Sequence, residues 1–277
     1  MIFTLKKIFY LYLFTLAVMS APLANQIGDI APNFTAKTSQ GVLDFHSWSS
    51  DQWVVLFSHP GDFTPVCTTE LAQVAKLQPE FKKRNTKVMA LSIDSLKDHQ
   101  EWIPQINRFK EKIRDKGSVD KLLTNFGENT DLNFPIIADE DFKVATLYGM
   151  YHPNAKPNQG SFGNSSKATI RSVFIIDPNK TIQTILIYPK NIGRNFDEIL
   201  RIIDALQLSA KYNISTPANW QMGDPVIVSN DIPVEDIAEK FDTDEVNVFE
   251  NYLRMIKQPG FFGGSEESKK RSQGNFK

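Results

Sequence analysis

Cysteine is nearly missing from this chain of 277 residues: Cys67 is the only one. An internal disulfide is therefore excluded, and one thiol gives no ligand set for a structural zinc. The four histidines, His46, His59, His99 and His152, have no close pairing along the chain, so neither a metal nor another cofactor is expected. An excess of one charge is missing too. The 31 basic residues face 32 acidic ones, for a net charge of −1, and no basic stripe stands out, which argues against nucleic acid as a partner. No phosphate-cradling glycine loop and no Gly-x-Ser-x-Gly elbow occurs. With 41% hydrophobic and 23% charged residues the composition suits a soluble globular protein, and the length allows one large domain or two small ones.

The N-terminus reads differently from the rest. Lys6-Lys7, the apolar run Ile8 to Val18 and the small residues Ser20-Ala21-Pro22-Leu23-Ala24 match the three parts of a secretory signal, and the run is shorter than an ordinary membrane span. Residues 1–24 are therefore expected to be a signal peptide that exports the protein to a periplasm or the cell exterior. Pro22 fits the cleavage site poorly and leaves an uncleaved anchor as the alternative. A single cysteine in an exported chain stays free to react. Asn-x-Ser/Thr triplets at Asn33, Asn164, Asn179 and Asn213 are weak candidates for glycosylation in a eukaryotic secretory route.

The densest turn and cap chemistry surrounds the cysteine, in Ser58-His59-Pro60-Gly61-Asp62-Phe63-Thr64-Pro65-Val66-Cys67-Thr68-Thr69-Glu70. Trp53-Val54-Val55-Leu56-Phe57 is a short β-branched and aromatic run, a buried strand that Pro60 and Gly61 end. Leu71, Val74, Ala75 and Phe81 recur at helical spacing, and Thr64-Pro65 reads as an N-cap followed by proline at the first helical position. Cys67 then falls in the first turn, where unpaired N–H groups and the helix dipole favour a thiolate. A second apolar run, Lys87 to Ile93, completes a strand–helix–strand unit with a right-handed crossover between parallel strands. A lone cysteine is more often a small buried hydrophobe than a nucleophile. Its place at a strand-to-helix corner reverses that preference, because open α/β sheets put their sites at the C-terminal ends of parallel strands.

The spacing Pro60-(three residues)-Thr64-(two residues)-Cys67, within the longer string from Phe57 to Glu70, resembles the peroxiredoxin signature and in particular its 1-Cys subgroup. Ala90-Leu91-Ser92-Ile93-Asp94-Ser95, Phe134-Pro135-Ile136-Ile137, Arg171 to Pro178, Tyr188-Pro189 with Gly193 to Glu198, and Thr216-Pro217-Ala218-Asn219-Trp220 resemble the same family in the same order. The resemblance implies an α/β, thioredoxin-like fold over residues 25–211 and a smaller C-terminal α+β domain over 212–257 that packs across a dimer partner; the polar, charged composition of the end of the chain marks 258–277 as a disordered tail. It implies a thiol-dependent peroxidase in which Cys67 attacks a hydroperoxide, Thr64 and Arg171 hold its oxygens, and Pro60 shields the thiolate. Glu70 and Arg194 would form an ion pair that orients Arg171, and a histidine at position 59, His59, is associated with the active site, with a histidine that only caps the strand end as the equal alternative. With no second cysteine, an external thiol must reduce the oxidised enzyme, and a homodimer or larger homo-oligomer is expected.

Other segments read as follows. Residues 98–131 are charged and partly helical, with Trp102, Ile106 and Phe109 on one stripe, and suggest a solvated surface excursion. The stretch from Pro153 to Lys167 is a loop. In the strand from Thr169 to Ile176, Arg171 shares a face with Val173 and Ile175, which is costly for a guanidinium without an anionic partner. A hairpin strand from Thr181 to Tyr188 and an amphipathic helix from Asn195 to Leu206 finish the core. Some relatives carry a phospholipase serine in a Gly-Asp-Ser-Trp-Gly string. Here Gln52 stands at the serine and Asn179 at the aspartate, leaving only His46, so that activity is not carried over. Two rivals to the peroxidase remain at this stage: a thiol–disulfide handling protein, which would normally need a second cysteine, and a non-catalytic, holdase-like binder. Rapid loss of the single thiol on mixing with hydrogen peroxide separates them.

Overall fold

Trp53–Ser58, the third strand of the chain (β3), is buried at every position. So is the strand Arg171–Ile176 (β6), which pairs antiparallel with it, Val54 opposite Ile176 and Leu56 opposite Phe174. Continuous apolar runs of this kind are what a strand buried on both faces requires. In a computed structural model that describes residues 25–114, 131–151 and 168–260, these two strands lie in a seven-stranded sheet. The signal-like segment, the loop expected at 153–167 and the polar tail beyond Gly263 lie outside the described residues.

Two compact units divide the chain. The first, within 1–63, 89–102 and 135–190, holds the large sheet. Its other strands are Thr35–Thr38 (β1), Gly41–Asp44 (β2), Thr86–Ser92 (β4, whose last residues belong here), Ile136–Ala138 (β5) and Ile182–Tyr188 (β7). The order is β2-β1-β5-β4-β3-β6-β7, so the two runs flanking the cysteine helix are neighbours, and β4 runs parallel to β5. Alternate residues Val54, Leu56, Met89, Leu91, Ile137, Phe174 and Ile176 build one core layer, closed by Val144, Ala145 and Tyr148 of and beside a short helix, Lys143–Leu147. Each fully buried Leu, Ile or Phe in such a layer contributes roughly 1.5–3 kcal/mol through removal from water.

The second unit, within 64–88, 103–134 and 191–277, is built on two long helices and a small sheet. Pro65–Lys83 carries Cys67, and Phe196–Tyr212 buries Phe196, Ile199, Leu200 and Ile203. That second helix runs past the expected end at Leu206. Leu208, on its continuation, is buried in the next core, and Asn213 stops the helix in a left-handed conformation at φ 53°. Arg84 ties the helices together with two bonds to the Asp204 carboxylate, at 2.6 and 2.9 Å. Beyond them Ile214–Ser215 (β8), Val226–Val228 (β9), Val246–Glu250 (β10) and Leu253–Ile256 (β11) form a sheet in the order β10-β11-β9-β8. The helix Val234–Phe241 adds Ile237 to its core of Leu208, Ile214, Trp220, Val226, Val228, Ile232 and Ile256.

One expectation needs correction. The segment read as a solvated excursion begins with a helix, Leu96–Arg114, whose Trp102 and Ile106 are fully buried. Its charge comes from the opposite face, and only the part after Arg114 lies outside the described residues.

Candidate active site

The helix that carries the cysteine begins as its residue types dictate. Thr64 is the N-cap, extended at φ −103° and ψ 146°, and Pro65 takes the first helical position, where a missing N–H costs nothing. The Thr64 side chain makes no capping bond, and the first intrahelical bond runs from Thr68 N–H to the Thr64 carbonyl, at 3.0 Å. Cys67 is therefore the third residue of the helix, in the turn whose N–H groups lack helical partners, and it is buried. Just before the cap, Phe63 sits at φ 54°, a conformation that costs a non-glycine residue roughly 1–2 kcal/mol. Held strain at a strand-to-helix turn marks a corner whose shape is imposed by its surroundings.

Glu70 lies one helical turn after Cys67. Its carboxylate accepts from Arg194 at three points, the backbone N–H at 2.8 Å, Nε at 3.0 Å and Nη2 at 2.7 Å, and both side chains are buried. Pro60 and Arg171 belong to the other unit. Pro60 is buried two residues past β3. Arg171 is 2% exposed, and its Nε and Nη2 donate to the Lys190 carbonyl at 2.9 and 2.7 Å. The Lys190 carbonyl oxygen thus meets part of the cost of its burial.

The histidines hold what the sequence did not disclose. His59 and His99, far apart along the chain, meet at one carboxylate: His59 Nε2 lies 2.9 Å from Asp62 Oδ1, and His99 Nδ1 lies 2.6 Å from Asp62 Oδ2. Both rings are fully buried, and the indole of Trp102 packs against the His59 ring at 5.4 Å. Burial pushes the Asp62 carboxyl up, but the hydrogen bonds from the two imidazoles outweigh it and hold the group at about 2. For His99 burial pulls downward, and the bond and charge of Asp62 more than reverse it. Asp94 completes the cluster, accepting from the Asp62 N–H at 2.9 Å and from the Ser92 hydroxyl at 2.8 Å. His59, Asp62 and Asp94 bring ligand-type atoms within 4.8 Å of one another, yet these hydrogen bonds already occupy both Asp62 oxygens and Oδ2 of Asp94. No spacing rule joins positions 59, 62 and 99. The only sequence signal was a His and an Asp three apart in a tight turn.

His46, left from the phospholipase string, is bound through Nε2 to the Ala31 carbonyl at 2.8 Å, an anchoring role.

Known proteins complete the picture. The pattern of the AhpC/TSA family matches residues 27–185, and that of the C-terminal domain of 1-Cys peroxiredoxin matches 205–243. A 1-Cys peroxiredoxin from Dictyostelium discoideum is 42% identical over 241 residues, covering 86% of this chain and 88% of its own. Human peroxiredoxin-6 is 44% identical over 238 residues, covering 84% and 97%. Among solved structures, a yeast mitochondrial 1-Cys peroxiredoxin, described as resolved by glutathione and thioredoxin systems, superposes with a TM-score of 0.71 at 41% identity, covering 84% of this chain and 99% of its own. A peroxiredoxin 6 variant from Arenicola marina gives a TM-score of 0.72 at 40% identity, covering 85% and 99%.

Proposed function

The chain belongs to the AhpC/TSA family and within it to the 1-Cys peroxiredoxins, thiol-dependent peroxidases of thioredoxin-like fold with a small C-terminal domain, and from that premise we propose that Cys67 is its peroxidatic nucleophile. One observation carries the assignment: the sole cysteine of the chain is buried in the first turn of a long helix, after a strained corner, at the position the family motif gives its nucleophile. The thiolate attacks the terminal oxygen of a hydroperoxide. A sulfur–oxygen bond forms as the oxygen–oxygen bond breaks, the sulfur becomes a sulfenic acid, and the other oxygen leaves as alkoxide or hydroxide and takes up a proton. Thr64, the N-cap of the Cys67 helix, positions the peroxide, a role carried over from the family motif. Arg171 stabilises the charge on the leaving oxygen, and Pro60 keeps water from the thiolate, roles that rest on the family pattern. The pair of Glu70 and Arg194 takes the role of orienting Arg171 on the family pattern alone.

A thiol from outside the chain reduces the sulfenic acid, since no second cysteine is available. The description of the yeast relative favours glutathione or thioredoxin in that part. Export through residues 1–24 and a homodimer or larger homo-oligomer belong to the same reading. Exposed Val248, Phe249 and Tyr252 on the β10–β11 hairpin support self-association.

Stopped-flow mixing with hydrogen peroxide tests the assignment. Wild-type protein should lose its thiol rapidly and one-for-one, Thr64→Val should do so far more slowly, and Cys67→Ser should consume no peroxide. Turnover retained in Cys67→Ser would remove Cys67 from the mechanism. Light scattering reads the oligomer, and the N-terminal mass of native protein reads the signal, expected to begin near Asn25.

A further inference from the structure

Both ring nitrogens of His99 face groups that can only accept. Nδ1 lies 2.6 Å from the Asp62 carboxylate and Nε2 lies 3.1 Å from the Ile137 carbonyl. A neutral imidazole has one N–H and would leave one of these contacts repulsive, whereas an imidazolium donates to both. His59 presents the opposite case. Its Nε2 faces the same carboxylate, but its Nδ1 is buried with no hydrogen-bond partner among the described residues. A proton at Nδ1 would be a buried donor with nothing to receive it, so that nitrogen is best left as a bare lone pair. The trio then carries one positive and one negative charge and is neutral as a whole, as a site with no solvent access requires.

We propose that His99 and Asp62 are positioning residues for the peroxidase reaction: an imidazolium at His99 and a carboxylate at Asp62 lock His59 as the neutral Nε2–H tautomer with Nδ1 unprotonated, and so fix the 59–62 turn from which the Cys67 helix starts. The inference rests on the assignment of Cys67 as nucleophile. The upward pull of Asp62 on His99 agrees with it, and Asp94 adds attraction for the same proton. The charged groups that act on His99 are Asp62 in the turn and Asp94, two residues past the end of β4, with the neutral His59 ring across the carboxylate. Trp102, on the helix that carries His99, packs on the ring of His59 and narrows its choice of orientation. The Asp62 N–H bond to Asp94 pins the same turn from the backbone side.

Histidine-selective 15N labelling of the full chain, with long-range proton–nitrogen correlation at pH 6 to 8.5, reads the tautomers directly. His99 should show two protonated nitrogens at neutral pH, and His59 one protonated Nε2 and one bare Nδ1. A neutral His99 at pH 7, or a His59 that is charged or protonated at Nδ1, overturns the inference. The second arm is His99→Asn, which keeps a donor toward Asp62 but removes the charge. Its Cys67 should be oxidised by hydrogen peroxide about tenfold more slowly or worse, the loss of one charged hydrogen bond, with an altered pH profile and with His59 no longer held in one tautomer. His99→Gln gives the same comparison should the asparagine variant not fold. A wild-type rate and pH profile in the variant that folds would reduce the trio to a structural clamp and overturn the positioning role. If wild-type Cys67 itself fails to react with peroxide, the nucleophile assignment fails instead, and the tautomer measurement shows separately whether the lock exists.

Discussion

Glu70 and Arg194 meet in a two-point ion pair, Nε to Oε1 at 3.0 Å and Nη2 to Oε2 at 2.7 Å, with side-chain exposures of 3% and 0%. The Arg194 guanidinium also lies 5.6 Å above the Phe196 ring. A buried pair of this kind adds little over a well-packed apolar pair, but removal of one partner strands the other charge. Glu70→Gln should therefore lower the unfolding free energy by about 3–5 kcal/mol. Glu70→Gln combined with Arg194→Leu should lose less than the sum of the two single changes, since neither charge remains. Urea denaturation of the four proteins measures the cycle, and simple additivity would show that the pair is not coupled.

The Asp62 cluster gives stability a defined pH window. The Asp62 carboxyl is held near 2 against an ordinary 3.8, so its contribution, about 2 kcal/mol, is present above pH 4 and is lost as pH falls toward 2. His99 is raised above 6.5, so its contribution is complete below that value and is lost as pH rises through the folded-state value. Stability from the trio should peak between about pH 4 and 6.5. Urea midpoints at intervals from pH 3 to 9 should trace this dome, and Asp62→Asn should flatten both limbs. An equal pH dependence in the variant would mean that other groups set it.

Asn195 caps the helix Phe196–Tyr212 by accepting from the N–H groups of Asp197 and Glu198, at 3.0 and 3.2 Å. Asn195→Ala should cost about 1 kcal/mol, and Asn195→Gly only a few tenths. Thermal unfolding of the two variants compares them, and an equal loss would place the effect elsewhere than the cap.

Much of this protein could be read in its residues. The run Trp53 to Phe57, the Thr64-Pro65 start and the Leu71–Val74–Phe81 spacing define β3 and the cysteine helix, because proline, capping and periodicity act locally. The helix end at Tyr212 escaped because the polar residues after Leu206 mask Leu208, whose burial depends on a core formed by later strands. Trp102 and Ile106 were noticed as a stripe, yet the surrounding charge disguised how deeply that stripe is buried. The pairing of Glu70 with Arg194 was accessible only through family resemblance. The meeting of His59 and His99 at Asp62 was not accessible at all, since it depends on β3 and β4 lying side by side in the sheet, with His59 just after the one and His99 on the helix after the other.

The single cysteine also decides how the enzyme fails. After one attack on peroxide Cys67 is a sulfenic acid, and a chain with no other thiol cannot form the internal disulfide that would protect it. The oxidised sulfur stays in the first turn of the same helix, at the position where the first peroxide reacted. Peroxide alone should therefore give about one fast turnover per chain, and an added thiol such as glutathione should restore cycling. Preincubation with excess peroxide should carry Cys67 on to the sulfinic acid, which the chain has no means to reverse. Intact mass after that treatment should rise by two oxygens, with activity lost in proportion and not regained on adding thiol. Sustained turnover with no reductant present would overturn the 1-Cys mechanism for this chain, because the electrons for each cycle would then have to come from a group other than Cys67.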